Sequence, residues 1–269
     1  MEKKNNFQDL VGVINSVGKN NDIVVYTAIF GSYDKLHDPE IVEENVDYIC
    51  FTDNKDLFST VWFIIYVEQI NVDPRMTAKY FKIMPHIFFP NHVCSIWIDG
   101  SIKITGCLTV FAANLKNDFL MSCIKHPQRN CAYKEALWCM INGKDSLFTI
   151  TRQIISYFQN GFPLNFGLLC GGVLIRRHNS EHVTSLMNFW YENILNYSVR
   201  DQISLSYAIW FKKMHICILD IDLYNNEFFV VKKHSYIKYY DNEGKIFKNI
   251  FSILSSFYVK FRYKIKKIH

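Results

Sequence analysis

Three hydrophobic runs that each stop on small or acidic residues constrain this chain more than any other feature. "DIVVYTAIF" (22–30) runs into Gly31-Ser32-Tyr33-Asp34, "VDYICFTD" (46–53) ends on Thr52-Asp53, and "SIWIDGSIKI" (95–104) breaks at Asp99-Gly100-Ser101. Strands covered on both faces read as near-continuous apolar runs, so all three are expected to be buried. "VWFIIYVEQI" (61–70) predicts another strand. "RMTAKYFKIMPHIFF" (75–89) carries Met76, Tyr80, Ile83, Met84 and Ile87 at helical spacing that continues across Pro85. Strands alternating with helical segments predict an α/β fold with a mixed, mainly parallel sheet flanked by helices. In such open sheets ligands bind outside the C-terminal strand ends, near a switch in strand order. The polar residues here stand at those ends.

Further along, "NFGLLCGGVLIRRHN" (165–179) reads as a strand. "SEHVTSLMNFWYENIL" (180–195) reads as a helix capped by Ser180, with Leu186, Phe189, Trp190 and Ile194 on one face. "RDQISLSYAIW" (200–210) starts a second helix with Asp201 near its N-terminus, a position that favours a carboxylate by capping and by the helix dipole. Neither an internal repeat nor a low-complexity linker interrupts the chain. The expected division is a polar segment over 1–21, one domain over 22–235 and a separate element over 236–269.

Charge narrows the partners. The chain carries a net +5, and its last ten residues, "KFRYKIKKIH", supply five of the 30 basic residues and no acid. The remaining 25 balance the 25 acidic residues, which argues against a nucleic-acid surface. From Phe247, apolar residues recur at Ile250, Phe251, Leu254, Tyr258, Phe261, Ile265 and Ile268. That pattern predicts an amphipathic basic helix, suited to the anionic inner face of a membrane; packing on the body is the alternative. The eight cysteines form no C-x-x-C pair and several lie in apolar runs, so they read as buried thiols in a reducing compartment. With no signal-like apolar stretch near residue 1 and no run long enough to span a bilayer, the expected location is cytoplasmic, peripheral at the inner face of the cytoplasmic membrane.

Asp99 and Ser101 form a D-x-S pair. A hard divalent cation takes oxygen ligands and stays partly hydrated, so a carboxylate and substrate phosphates together can hold one, and Gly100 lets the backbone approach a diphosphate closely. An ordinary turn is the alternative.

Several ordered blocks carry a resemblance. "VVYTAIFGSYDKLHDP", "YICFTDN", "AKYFKIMPHIFFPNHVCSIWIDGSIKI", "HPQRNCAYKEA" and "RDQISLSYAIW" together resemble the glycosyltransferase-like family, formerly a domain of unknown function, that includes plant mucilage-related and bacterial capsule or O-antigen members. It covers residues 23 to 235 and extends more loosely to glycogenin-like transferases of the GT-A fold. The resemblance implies a transferase moving a sugar from a nucleotide diphosphate sugar, UDP favoured, to a glycan or lipid-linked acceptor in bacterial surface polysaccharide synthesis, with retention. It implies Mn²⁺ or Mg²⁺ on Asp99 and Ser101, completed by His234. Ser101 stands where the D-x-D pattern has its second acid.

On the same resemblance Thr27, Ala28, Tyr33, Asp34, Thr52 and Asp53 would meet base and ribose, although turn capping also explains Asp34 and Asp53. Lys79 and Lys82 would neutralise the diphosphate or stand solvated on their helix. His126 and Arg129 would stabilise the leaving group, and Glu135 would serve as an acceptor-binding carboxylate or base. Tyr133, Gly171 and Gly172 are acceptor-side candidates. Asp201 and Gln202 would stand by the anomeric carbon, or Asp201 would deprotonate the acceptor. Two rivals stay open: a sugar nucleotidyltransferase, for which no G-x-x-x-x-G-K-[ST] loop is present, and an inactive carbohydrate- or nucleotide-binding protein, favoured by Ser101.

Overall fold

The computed structural model describes residues 10–14, 21–113, 115 and 118–232. His234 and the basic segment over 236–269 therefore lie outside the described residues. The central sheet comprises β1 (Ile23–Ile29), β2 (Val46–Thr52), β3 (Phe63–Tyr66), β4 (Cys94–Ile98), β6 (Met121–Lys125), β7 (Leu169–Arg176) and β8 (Cys217–Leu219). A small antiparallel pair joins β5 (Ile102–Ile104) to β9 (Phe229–Val231). The helices are α1 (Pro74–Ile83), α2 (Pro85–Phe88), α3 (Leu108–Ala113), α4 (Ala132–Ile141), α5 (Leu147–Gln159), α6 (Glu181–Asn196) and α7 (Asp201–Phe211).

Strand order is β3-β2-β1-β4-β7-β6-β8, with β7 antiparallel to both its neighbours and every other pairing parallel. This is the mixed, mainly parallel sheet expected from the sequence. Every residue of β2, β4 and β7 is buried, which is why those runs carry no polar alternation. One face packs against α1, α2, α6 and α7 through Tyr26, Phe51, Phe81, Trp97 and Trp190. The other is covered by α3 and the small sheet through Ile96, Ile102, Phe111 and Phe229. Leu10 and Ile14, from a helical stretch over 10–14, join the first cluster.

Two expectations are corrected. The strand predicted over 61–70 is confined to Phe63–Tyr66, because β3 is a sheet edge and its partner β2 ends at Thr52, whose carbonyl takes the last bond from the Val67 N–H at 2.8 Å. The single helix predicted over 75–89 is two: Pro85 has no N–H to continue α1 and opens α2 instead.

The chain runs β1 to β3 outward on one side, then returns to place β4 on the other side of β1. That reversal opens the crevice where ligands bind in open α/β sheets. Because β7 is antiparallel to β4, its start lies beside the end of β4: the Asp99 N–H donates to the Gly172 carbonyl at 2.9 Å. The β6–β7 register also shifts between Cys123 and Ile124, opposite the Gly171–Val173 stretch. The polar ends of β1 and β4 and the glycines of β7 thus meet at one edge.

The turn after β1 fixes one wall of the crevice. Gly31 has φ +61°, and a Cβ there would come within 2.8 Å of Pro74 Cγ at the start of α1. Its N–H donates to both oxygens of Asp53, at 3.1 and 3.0 Å. A left-handed non-glycine residue costs roughly 1–2 kcal/mol before any clash. Gly31→Ala is therefore expected to lower stability by about 2 kcal/mol or more in urea denaturation. Gly12→Ala, where a Cβ meets nothing within 4 Å, should be neutral or gain about 0.5–1 kcal/mol. Equal effects at the two glycines would contradict this reading of the turn.

Candidate active site

The crevice deepens into a cavity of about 440 Å³, whose wall carries Arg75, Lys79 and Lys82 from α1, Asp99 to Ser101 after β4, and Asp201 and Gln202 opening α7. Helix α1 aims its cations inward because residues at i, i+4 and i+7 share a face. Asp73 caps α1, accepting the Arg75 N–H at 2.9 Å.

Lys82 is the hub. Its side chain is only 1% exposed, and its ammonium lies 2.9 Å from Asp99 Oδ1 and 2.6 Å from Asp201 Oδ2. Lys79 reaches the same Asp201 oxygen at 2.7 Å, and the Trp97 indole N–H donates to Asp99 Oδ1 at 2.7 Å. Burial alone would lower the pKa of Lys82, but the Asp201 and Asp99 carboxylates outweigh it and hold the lysine above its ordinary value. Burial would raise Asp201; Lys79 and Lys82 overcome that and hold it far below the usual carboxylate range. Lys79 shifts down, because burial and repulsion by Lys82 outweigh its share of Asp201.

The backbone of Lys82 is held as firmly. Near the end of α1 its carbonyl lacks a helical partner, as the last carbonyls of a helix do. Tyr26 Oη and Arg176 Nη1 both donate to it, each at 2.9 Å. Arg176 is wholly buried and also donates to Tyr26 Oη. Burial lowers the pKa of this arginine and raises that of Tyr26 to about 12.

On the far side, His126, Arg129, Glu135 and Trp138 line the wall. The His126 Nδ1 accepts the backbone N–H groups of Gln128 and Arg129, both at 3.1 Å, and so shapes the turn before α4. Arg129 pairs with Glu135, which is 1% exposed, and its guanidinium lies 4.6 Å from the Trp138 ring centre. Glu135 thus fixes Arg129 rather than facing the cavity with a free carboxylate.

Of the residues singled out from sequence, Ala28, Tyr33, Asp34, Lys79, Lys82, Asp99, Gly100, Ser101, His126, Arg129, Glu135, Gly172, Asp201 and Gln202 share this one wall. Others lie off it. Thr27 and Thr52 are buried in the sheet, Tyr133 donates to the Phe162 carbonyl at 2.8 Å, and Asp53 is bonded to Gly31 and Gln69. Gly171 sits behind the wall, where a Cβ would come 3.2 Å from Lys82 Nζ. Sequence reasoning missed Arg75, Trp138, Lys144 and Arg200, which the wall also carries. Helical spacing from Lys79 back to Arg75 was the one signal available. Among the described residues no three His, Cys, Asp or Glu side chains converge as a metal site, and no helix is long and apolar enough to cross a membrane.

A sequence model described as "TOD1/MUCI70, glycosyltransferase-like domain" matches residues 9–236. The chain belongs to that family. Its relatives include an Arabidopsis thaliana probable hexosyltransferase, MUCI70, 26% identical over 68% of this chain and 36% of its own length. Another is the A. thaliana alkaline ceramidase TOD1, 24% identical over 69% of this chain and 48% of its own. The chain therefore spans between a third and a half of the relatives it matches. Among solved structures, similarity extends to the WbbM bifunctional glycosyltransferase (TM-score 0.43, 10% identity, 71% of this chain and 38% of that one). Mouse xyloside xylosyltransferase 1 is another (TM-score 0.41, 10% identity, 74% and 85%).

Removing one partner of a buried ion pair costs about 3–5 kcal/mol. Lys82→Met is expected to lose stability on that scale in chemical denaturation. Asp201 adds an acid limb. Since its folded pKa is depressed, its contribution is fully present above the unfolded value near 4 and is lost as pH falls below it. The stability of Asp201→Asn should accordingly fall less steeply than wild type below about pH 4. Parallel acid limbs would show that Asp201 is not held by the two lysines.

Proposed function

We propose that the protein transfers a sugar from a nucleotide diphosphate sugar, UDP-linked by preference, to a glycan acceptor, with retention of anomeric configuration. The observation that carries this reading is the lysine hub: one buried ammonium joins the carboxylate at the end of β4 to the carboxylate opening α7, at the switch in strand order. Ala28 near the end of β1 and Tyr33 and Asp34 after it would border the nucleoside. Lys79, Lys82 and Arg129 present positive charge where a diphosphate must leave, and preorganised charge in an enclosed site is usually the largest catalytic contribution.

The metal question turns on Asp99. Its Oδ1 is committed to Lys82 and Trp97, its Oδ2 stands beside Gly172, and Ser101 adds a hydroxyl on the same wall. Such a set suits a hydrated Mn²⁺ or Mg²⁺ that takes most ligands from water and phosphate. Asp99 and Ser101 would hold it, and when bound it would neutralise charge on the departing diphosphate.

Retention is supported by basicity. A carboxylate held ionised by two ammonium groups is a poor proton acceptor, and an inverting enzyme needs a base near neutrality. Asp201 is held in that state, and Glu135 is occupied by Arg129. Asp201 instead suits the positive charge that develops at the anomeric carbon, with Gln202 beside it.

A lipid-linked acceptor in bacterial surface polysaccharide assembly, at the inner face of the cytoplasmic membrane, extends the reading. The basic, apolar pattern from Phe247 onward supports it, as do Phe148, Ile155 and Phe158, which are exposed on α5.

A thermal-shift series with nucleotides and nucleotide sugars, followed by turnover with and without Mn²⁺, tests the proposal. One base should stabilise the protein selectively, Asp99→Ala should abolish turnover, and NMR of the product should show the donor's anomeric configuration. Ceramide hydrolysis, the activity named for TOD1, is the control and should be absent. If no nucleotide or nucleotide sugar binds under any condition, the transferase reading fails.

A further inference from the structure

The part of the cavity wall that carries Lys144 and Arg200 holds more positive charge than the pairing around it neutralises. Six cationic side chains line the whole wall against four carboxylates. Three of those carboxylates are engaged: Asp201 by Lys79 and Lys82, Asp99 by Lys82, Glu135 by Arg129. Asp34 lies beside Gly100 at the other end. The excess is Lys144 and Arg200, with Arg75 adjoining.

Neither Lys144 nor Arg200 has a carboxylate within 4 Å among the described residues. The Nε of Arg200 is buried with no hydrogen-bond partner. Lys144 Nζ lies 5.7 Å from the Trp138 ring centre, across which Arg129 also sits. Arg75 is held by Asp73 at 2.7 Å and reaches the Lys144 carbonyl at 3.4 Å. Asp145, next in sequence, is spent on the fold: its Oδ2 accepts from the Ser198 hydroxyl at 2.7 Å and the Val199 N–H at 3.0 Å. Burial and the neighbouring Arg200 both press Lys144 below its ordinary pKa, while Arg200 is held above its own by Cys139 and the more distant Asp201 and Glu135.

Lys144 is exposed, whereas Arg200 is half-buried with its Nε shut off from a partner; buried charge is normally paired, and a guanidinium is shaped for the two oxygens of a carboxylate or phosphate. We propose that this corner is a second anion subsite, which takes a carboxylate or phosphate borne by the acceptor, so that the preferred acceptors are acidic glycans. A donor diphosphate at Lys79 and Lys82 would share those cations with Asp201 and Asp99, so competition with UDP decides which anion the corner takes. The assignment to an acceptor rests on the transferase reading above; the anion site itself does not.

The test is equilibrium binding of glucuronate and glucose 6-phosphate, with glucose as the neutral control, to the full chain with and without UDP. Both acidic sugars should bind at least tenfold tighter than glucose, and UDP should not displace them. Preference for one of the two separates a carboxylate site from a phosphate site. Lys144→Ala should reduce the preference for acidic sugars at least threefold while UDP affinity stays within twofold. Arg200→Gln, checked for folding by its melting profile, should reduce that preference further. Acidic sugars binding no better than glucose would overturn the proposal, and so would competitive displacement by UDP, which would assign the corner to the donor. Failure of the transferase reading looks different: the acidic sugars bind and no nucleotide does.

Discussion

A lysine ammonium taken out of water commits the protein around it. Moving an isolated ion of that size into a protein interior carries an effective cost of several kcal/mol even after relaxation, so its partners must be close and correctly aimed. Lys82 meets that requirement with two carboxylates brought from positions 17 and 119 residues away in sequence. Helix α1, the end of β4 and the start of α7 are thereby tied at one point. The break at Pro85 serves this arrangement. It leaves the Lys82 carbonyl without a helical partner, and Tyr26 from β1 and Arg176 from β7 take it. Side chain and backbone of one residue are thus both fixed, by four different elements.

The same hub sets the chemistry. Asp201 is shared by two lysines, which hold its carboxyl far below the usual carboxylate range and leave it a weak proton acceptor. The sheet reversal matters equally. Because β7 runs against β4, Gly172 lies beside Asp99, and Gly171 leaves room for Lys82 and Asp201, since a Cβ there would stand a tight 3.2 Å from Lys82 Nζ and 3.4 Å from Asp201 Oδ2.

Much of this was legible in the residues. The unbroken apolar runs announced strands buried on both faces, and their polar ends marked the ligand edge, because both signals are local. The D-x-S pair was found the same way, whereas site roles for Asp201 and the two α1 lysines came from the family resemblance. What local pattern could not show was pairing across the fold. Lys79 and Lys82 read equally well as solvated, since nothing near them in sequence reveals that Asp201 lies 2.7 and 2.6 Å away. Thr52 and Asp53 sit at a polar strand end like the others, yet Asp53 is spent on Gly31 and Thr52 is buried. The end of β2 is one strand removed from the switch point, so it shapes the turn instead of the cavity. Lys144 and Arg200 carried no motif, and their isolation appears only once the acids around them are seen to be taken.

The cavity is consequently polarised along its length. Asp34 and Asp99 stand near the β1 and β4 ends, while Lys144 and Arg200 belong to the segments that follow α4 and precede α7. Between them Asp201 is neutralised by its lysines. Such a gradient orients a charged ligand before contact, because a low-dielectric cleft focuses the field of its walls. On the proposed reading, a diphosphate beside Lys79 and Lys82 and an acidic group beside Lys144 and Arg200 would occupy different parts of the same wall, which would keep two negative substrates apart at the separation that group transfer requires.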